Sequence, residues 1–163
     1  MAERLIDVPV ESLPFIDEHS TLVAASPEVT WTALADVVRG SRAGRIGDAV
    51  ASGLACVPGE AKGEIPAIGS TIPGFIVTRS VCPAALALMG EHRFSRYALV
   101  FTISERLGED SVELSAQTRA LFPGRSGRAY RGLVIGTRGH VVATRAILRS
   151  VRRRAEHLAR AEG

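Results

Sequence analysis

Three groups of side chains in this sequence have the types and spacing that proton transfer or anion binding requires. Asp17 and His19 stand two residues apart in the stretch Phe15 to Ala24, where Phe15, Asp17, His19, Thr21 and Val23 alternate with their neighbours as one face of a strand. With that face inward, a carboxylate and an imidazole project together into the interior, a base and its orienting partner for removing a proton next to a carbonyl. With the alternation reversed, both are exposed residues at a strand start. His140 falls on a C-terminal helical pattern, about 60 degrees from the centre of its apolar arc if each residue turns about 100 degrees. It is either an acid or base titrating near neutrality or a core histidine satisfied by a sheet hydroxyl. Arg93 and Tyr97 open another alternating stretch with Tyr97 on its apolar face, which predicts Arg93 and Tyr97 inward and His92 and Arg96 outward. Arg93 would then hold a carboxylate or enolate through its fork of donors, or else form a salt bridge on the sheet rim.

Other patterns are excluded by their context. Cys56 and Cys82 form no CxxC or other ligand spacing, and no second histidine lies three or four residues from His140, so neither a metal centre nor a disulfide framework is expected. Both cysteines read as reduced thiols. Gly40-Ser41-Arg42-Ala43-Gly44-Arg45-Ile46-Gly47 follows a helix rather than a strand and lacks the Gly-Lys-Ser/Thr ending, so it is not a phosphate loop and no cofactor is implied. Gly132, Gly136, Gly139 and Ala143 form a small-residue stripe beside His140. Interior glycines cost a helix about 1 kcal/mol each relative to alanine, which points either to close backbone packing or to room for a ligand. Arg131, Arg138, Arg145 and Arg152 recur every seven residues with Arg149 on the same side. A solvated helix face accounts for them; a surface for anionic lipid or nucleic acid is the alternative. No aromatic residues interleave the stripe as base stacking requires, so no nucleic-acid partner is expected.

The elements that must position these groups follow from the hydrophobic period. The strand at Phe15 to Ala24 leads into Ser26-Pro27-Glu28, an N-cap hydroxyl, a proline at the first helical position and an acid in the first turn. Trp31, Leu34 and Val38 then share a helix face. Residues 40–74 are rich in glycine and proline, with a short helix expected around Asp48 to Leu54. Period two returns at Phe75 to Val81, Leu86 to Met89, Arg93 to Glu105 and Ser111 to Phe122, broken by Pro83, by Gly90 and by Gly108-Glu109-Asp110. Tyr97, Leu99, Phe101 and Ile103 form one interior face; Val112, Leu114, Ala116, Thr118, Ala120 and Phe122 form the next. From about Ser126 to Ala159 the pattern is helical, with Tyr130, Leu133, Val134, Thr137, Val141, Thr144, Leu148, Val151 and Ala155 on one arc.

The chain is 163 residues long, 46% apolar and 23% charged, which fits one globular domain and excludes wholesale disorder. Of its net charge of +3, residues 125–163 contribute +8 and residues 1–124 contribute −5. The first residues, Met1 to Asp7, carry acids where a signal peptide needs an apolar run, and no stretch approaches a membrane span, so a cytoplasmic protein without a transmembrane segment is expected.

Two stretches carry a family resemblance. Leu22-Val23-Ala24-Ala25-Ser26-Pro27-Glu28-Val29-Thr30-Trp31-Thr32-Ala33-Leu34-Ala35-Asp36 resembles the first strand and helix of the START-like superfamily, also called SRPBCC or Bet v 1-like. The stretches Gly90-Glu91-His92-Arg93-Phe94-Ser95-Arg96-Tyr97 and Phe122-Pro123-Gly124 through Gly139-His140 are similar to a bacterial branch labelled polyketide cyclase or dehydrase, or left uncharacterised. The resemblance covers about residues 15 to 158 of a single domain spanning 1–163; residues 40–74 match nothing in the family's pattern. It implies an α+β helix-grip: a curved antiparallel β-sheet wrapped around a long C-terminal α-helix, with a short helix after the first strand. It also implies a cavity between sheet and helix for a small hydrophobic or aromatic molecule, lipid- or polyketide-like, with Tyr97, Leu99, Phe101, Leu114, Gly136, Gly139 and His140 as its walls. Ligand binding without turnover is the leading expectation and is compatible with a homodimer. A cyclase- or dehydrase-type enzyme drawing on Asp17, His19, Arg93, Tyr97 and His140 is the alternative, and an anionic-surface module acting through the basic helix is a third.

Overall fold

The computed structural model describes residues 2–40, 56–106, 110–125, 127 and 139–162. Its elements in chain order are β1 (Phe15–Val23), α1 (Pro27–Gly40), β2 (Thr71–Ile72), β3 (Phe75–Val81), β4 (Ala85–His92), β5 (Ser95–Glu105), β6 (Val112–Leu121) and α2 (Gly139–Glu162). The strands form one antiparallel sheet in the order β1-β6-β5-β4-β3-β2, gripped on its inner face by α1 and α2. This is the α+β helix-grip. The expected helix at Asp48 to Leu54 lies outside the described residues, as do Tyr130, Leu133, Val134, Thr137 and the glycines Gly132 and Gly136.

Local chemistry explains the elements. The Ser26 hydroxyl accepts from the Val29 backbone N–H at 3.3 Å, and its carbonyl takes the first helical bond from Thr30 at 2.9 Å, so α1 starts where the cap stands. The helix buries Trp31, Leu34 and Val38 against the sheet, where they meet Phe101, Leu114, Leu148, Val151 and Ala155 in the main core. On α2 the buried side is Thr144, Leu148, Val151 and Ala155, the spacing expected of the apolar arc.

Two expectations need correction, and one layer of the fold was not expected. Phe15 does not face inward but is 54% exposed, because a β-bulge between Phe15 and Asp17 puts them on opposite faces of the sheet. Gly90 does not end β4. It pairs with Tyr97 inside the strand, and the missing Cβ makes room for the Gly74 carbonyl and the Tyr97 ring, the latter 2.6 Å from where a Cβ would stand. Finally, the N-terminal residues form two short 3-10 turns, Ala2–Leu5 and Val10–Ser12, on the outer face of the sheet. Leu5, Val10 and Leu13 close there on Ile76, Ala87, Met89 and Ala98. This second layer buries β4 on both faces, which accounts for its unbroken apolar run Leu86 to Met89.

The exposed side of α2 takes up its own charge. Arg152 donates to Glu156 at 2.8 Å, Arg154 to Asp36 at 2.9 Å, and Arg149 Nε to the Arg145 carbonyl at 3.2 Å. Arg131 and Arg138 of the arginine stripe lie outside the described residues. No helix among the described residues is long and apolar enough to cross a membrane.

Gly90→Ala is expected to cost about 1 to 3 kcal/mol, the range for overpacking, read as a lowered urea midpoint; an unchanged midpoint would contradict the close approach. Changing Arg145, Arg149 and Arg152 together to glutamine is expected to leave co-sedimentation with anionic vesicles unaltered. Salt-sensitive vesicle binding by the wild type that disappears in this triple variant would mean the stripe is a docking surface.

Candidate functional site

The inner face of β1 and β6 turns polar at one end. Thr21 pairs with Leu114 and Val23 with Val112, whereas Asp17 stands opposite Thr118 and His19 opposite Ala116. Across the sheet the row continues from Thr118 to Leu99, Leu88 and Val77, so a carboxylate and a hydroxyl abut an apolar wall.

The first turn of α2 delivers His140 to this end. Its Nε2 lies 2.8 Å from Asp17 Oδ2. An ionised carboxylate only accepts, so Nε2 carries the proton and donates. His19 Nε2 is 3.4 Å from the same oxygen, within ion-pair range but without hydrogen-bond alignment. The three side chains are 22% (Asp17), 18% (His19) and 16% (His140) exposed, largely shielded from solvent. Asp17 Oδ1, His19 Nε2 and Thr118 Oγ1 are buried and accept or donate no hydrogen bond. Thr30 Oγ1, fully buried on α1, is the fourth such atom among the described residues. Unpaired buried polar atoms cost roughly 1 to 3 kcal/mol each, and three of the four stand together at this end of the sheet. Thr118 was legible only as an interior position; a threonine between Ala116 and Ala120 on an apolar face was the available signal.

The other candidates separate. Arg93 does not point inward. β5 begins at Ser95, which leaves Arg93 exposed in the β4–β5 turn, its guanidinium 5.4 Å from the centre of the Phe94 ring. His92 does not point outward. Its ring centre is 5.5 Å from that of Tyr97, its Nδ1 accepts from the Phe94 backbone N–H at 3.1 Å, and its Nε2 meets Ser95 Oγ at 3.1 Å. Arg96 donates twice to Glu91 Oε2, at 2.8 and 2.7 Å. Tyr97 gives its hydroxyl proton to the Gly74 carbonyl at 2.9 Å and packs edge-on to Phe75. Phe101 and Leu114 are 0% exposed and fill the main core, so they present no surface to a ligand, while Leu99 keeps a little. Gly139 is exposed at the start of α2, and Gly136 lies outside the described residues. Cys56 is half-buried and Cys82 exposed, both free; burial pushes the Cys56 thiol up, against a weaker opposing effect from its contact with Tyr97. No cluster of metal-ligating side chains occurs among the described residues. A groove of about 270 Å³ lies on the opposite face of the sheet, between the N-terminal turns and Thr78, Arg79, Ala87 and Val100, away from Asp17.

A sheet and C-terminal helix arranged in this way define the helix-grip class that the START-like resemblance implied. Among solved structures, norcoclaurine synthase from Thalictrum flavum, in complex with dopamine and hydroxybenzaldehyde, is 16% identical, with 90% of this chain and 87% of that one covered at a TM-score of 0.51. The Mll3558 protein from Rhizobium loti is 15% identical, with coverages of 85% and 94% and a TM-score of 0.52. At these identities the likeness is one of fold. No protein-family model and no curated protein matches the chain.

Burial lowers the affinity of His92 for a proton, so the unfolded chain takes up the proton more readily than the folded one. Stability from this residue is complete above the ordinary imidazole value of 6.5 and is lost as pH falls below it. His92→Asn, whose side-chain oxygen can still accept from Phe94, is expected to show a smaller drop in Tm than the wild type between about pH 7.5 and 5.5. Equal drops in the two proteins would contradict this.

Proposed function

We propose that the protein binds a small hydrophobic or aromatic molecule, lipid- or polyketide-like, between the inner face of the sheet and the first turn of α2. The observation that carries this reading is the set of three buried, unpartnered polar atoms, Asp17 Oδ1, His19 Nε2 and Thr118 Oγ1, beside the apolar row that begins at Leu99. Pockets for small molecules pair an apolar wall with a few converging polar groups. A fold likeness to a synthase whose structure holds two small aromatic compounds agrees with a ligand of that size and kind. A second reading, a cyclase- or dehydrase-type enzyme, is favoured by the convergence of Asp17, His19 and His140, residues that occupy three positions 123 residues apart at the extremes. Arg93 and Phe101 have no part in either reading.

The neutral probe N-phenyl-1-naphthylamine carries an apolar body and one N–H donor for Asp17 Oδ1. It is expected to bind saturably with a fluorescence rise, and Thr118→Phe, which places an aromatic ring opposite Asp17, is expected to weaken binding by about tenfold or more with an unchanged circular dichroism spectrum. Binding equal in the two proteins would place the ligand elsewhere. Native mass spectrometry of protein purified from its own host identifies whatever molecule remains bound.

A further inference from the structure

Resting on the reading that a ligand enters beside Asp17, we infer that Asp17 is a general base for a carbon acid, with Oδ1 as the atom that takes the proton. The two carboxylate oxygens are unequal: Oδ2 receives the His140 Nε2–H at 2.8 Å and lies 3.4 Å from His19 Nε2, whereas Oδ1 is buried and makes no hydrogen bond. One oxygen is therefore held and the other is left for a substrate. His140 acts through Asp17, fixing its orientation, and is a positioning residue.

The substrate class follows from the surroundings. Directly across from Asp17 stands Thr118 with an unpartnered hydroxyl, and beyond it Leu99. A molecule with its apolar body on Leu99 and a carbonyl oxygen toward Thr118 would present the adjacent carbon to Asp17. Oδ1 takes a proton from that carbon, the C–H electron pair becomes the new C=C bond, and the carbonyl pair moves onto oxygen as an enolate that the Thr118 O–H stabilises. Where a C=C bond stands one carbon further on, the enolate is a dienolate, and the proton held on Asp17 returns to its γ-carbon, so the double bond moves into conjugation, the cycle is an isomerisation and no co-reactant is consumed. The class is a small aromatic or apolar ketone with an acidic C–H between its carbonyl and a C=C bond.

The test uses 5-nitrobenzisoxazole, an aromatic carbon acid whose C3–H is removed by a base as its N–O bond breaks, giving the yellow 2-cyano-4-nitrophenolate and releasing the proton to the base. The full-length protein is expected to exceed the rate of an equal concentration of acetate by about a hundredfold or more, and Asp17→Asn is expected to abolish the excess. His140→Ala is expected to lower kcat about tenfold with KM and the circular dichroism spectrum unchanged, a combination that a general loss of structure would not give. Lys62, the single lysine of the sequence, is changed to arginine as a control and is expected to leave the rate unaltered. A wild-type rate no greater than that of acetate overturns the inference whether or not the variants fold, and so does full activity in folded Asp17→Asn. Binding of N-phenyl-1-naphthylamine by the same wild-type sample separates the outcomes: a bound probe with no excess rate removes the base and leaves the binding site, whereas no bound probe removes the binding site itself.

Discussion

The contact between Asp17 Oδ2 and His140 Nε2 joins the first strand to the first turn of the last helix across 123 residues of sequence. That contact requires Asp17 to face inward, and the β-bulge at Ile16 is what turns it there. The pairing of Phe15 with Arg119, continued without the bulge, would set Asp17 opposite Gln117. Gln117 lies on the outer side, where its amide donates to Glu18 at 3.3 Å and its carbonyl accepts from Arg119 at 2.6 Å. One inserted residue therefore moves the carboxylate from a solvated surface network to the interior. Bulges serve this purpose often, re-aiming a side chain near the end of a strand at the cost of one unpaired position.

Arg119 supports the same end from the outer side. Its guanidinium donates to the Leu13 carbonyl at 2.9 Å, and the Ala120 N–H donates to the Pro14 carbonyl at 3.0 Å, so the chain entering β1 is pinned to β6 just before the bulge. The N-terminal turns thus have two tasks. They bury Ile76, Ala87, Met89 and Ala98 on the outer face, and they fix the entry of the strand that carries Asp17 and His19.

Alternation and helical spacing made much of this legible, because both report which side of an element is buried. The period of β5 and β6 placed Leu99, Phe101, Leu114 and Ala116 inside, and the arc through Leu148, Val151 and Ala155 marked the buried side of α2. The inward placement of Asp17 and His19 could be read from their spacing to Val23, since those residues lie after the bulge; Phe15 lies before it and could not. Arg93 failed for a related reason, as alternation carries no information outside a strand, and β5 starts only at Ser95. Gly90 read as a breaker because its neighbours in space, Gly74 and Tyr97, are remote in sequence. The second layer over β4 was hidden in Leu5, Val10 and Leu13, whose spacing fits neither period because short 3-10 turns and extended links place them. Which residues meet His140 could not be read at all: helix phase gives its angle to the core, but the height of α2 along the sheet is set by packing.

That height divides α2 into two parts with different work. Leu148 and Val151, buried against α1 and the sheet, each contribute about 1.5 to 3 kcal/mol through burial. At the other end, three buried polar atoms without partners cost about 1 to 3 kcal/mol each. A chain selected only for a stable grip would continue the apolar rows formed by Leu114 and Ile103 and by Val23 and Val112 through to the strand ends. Apolar residues at 17, 19 and 118 would do so without altering a single turn. The polarity instead begins where the main core stops, at the end of the sheet where side chains of β1, β6 and α2 converge. Stability is concentrated in the half of the helix that meets α1, and the half that meets Asp17 holds a polar contact in place of apolar burial.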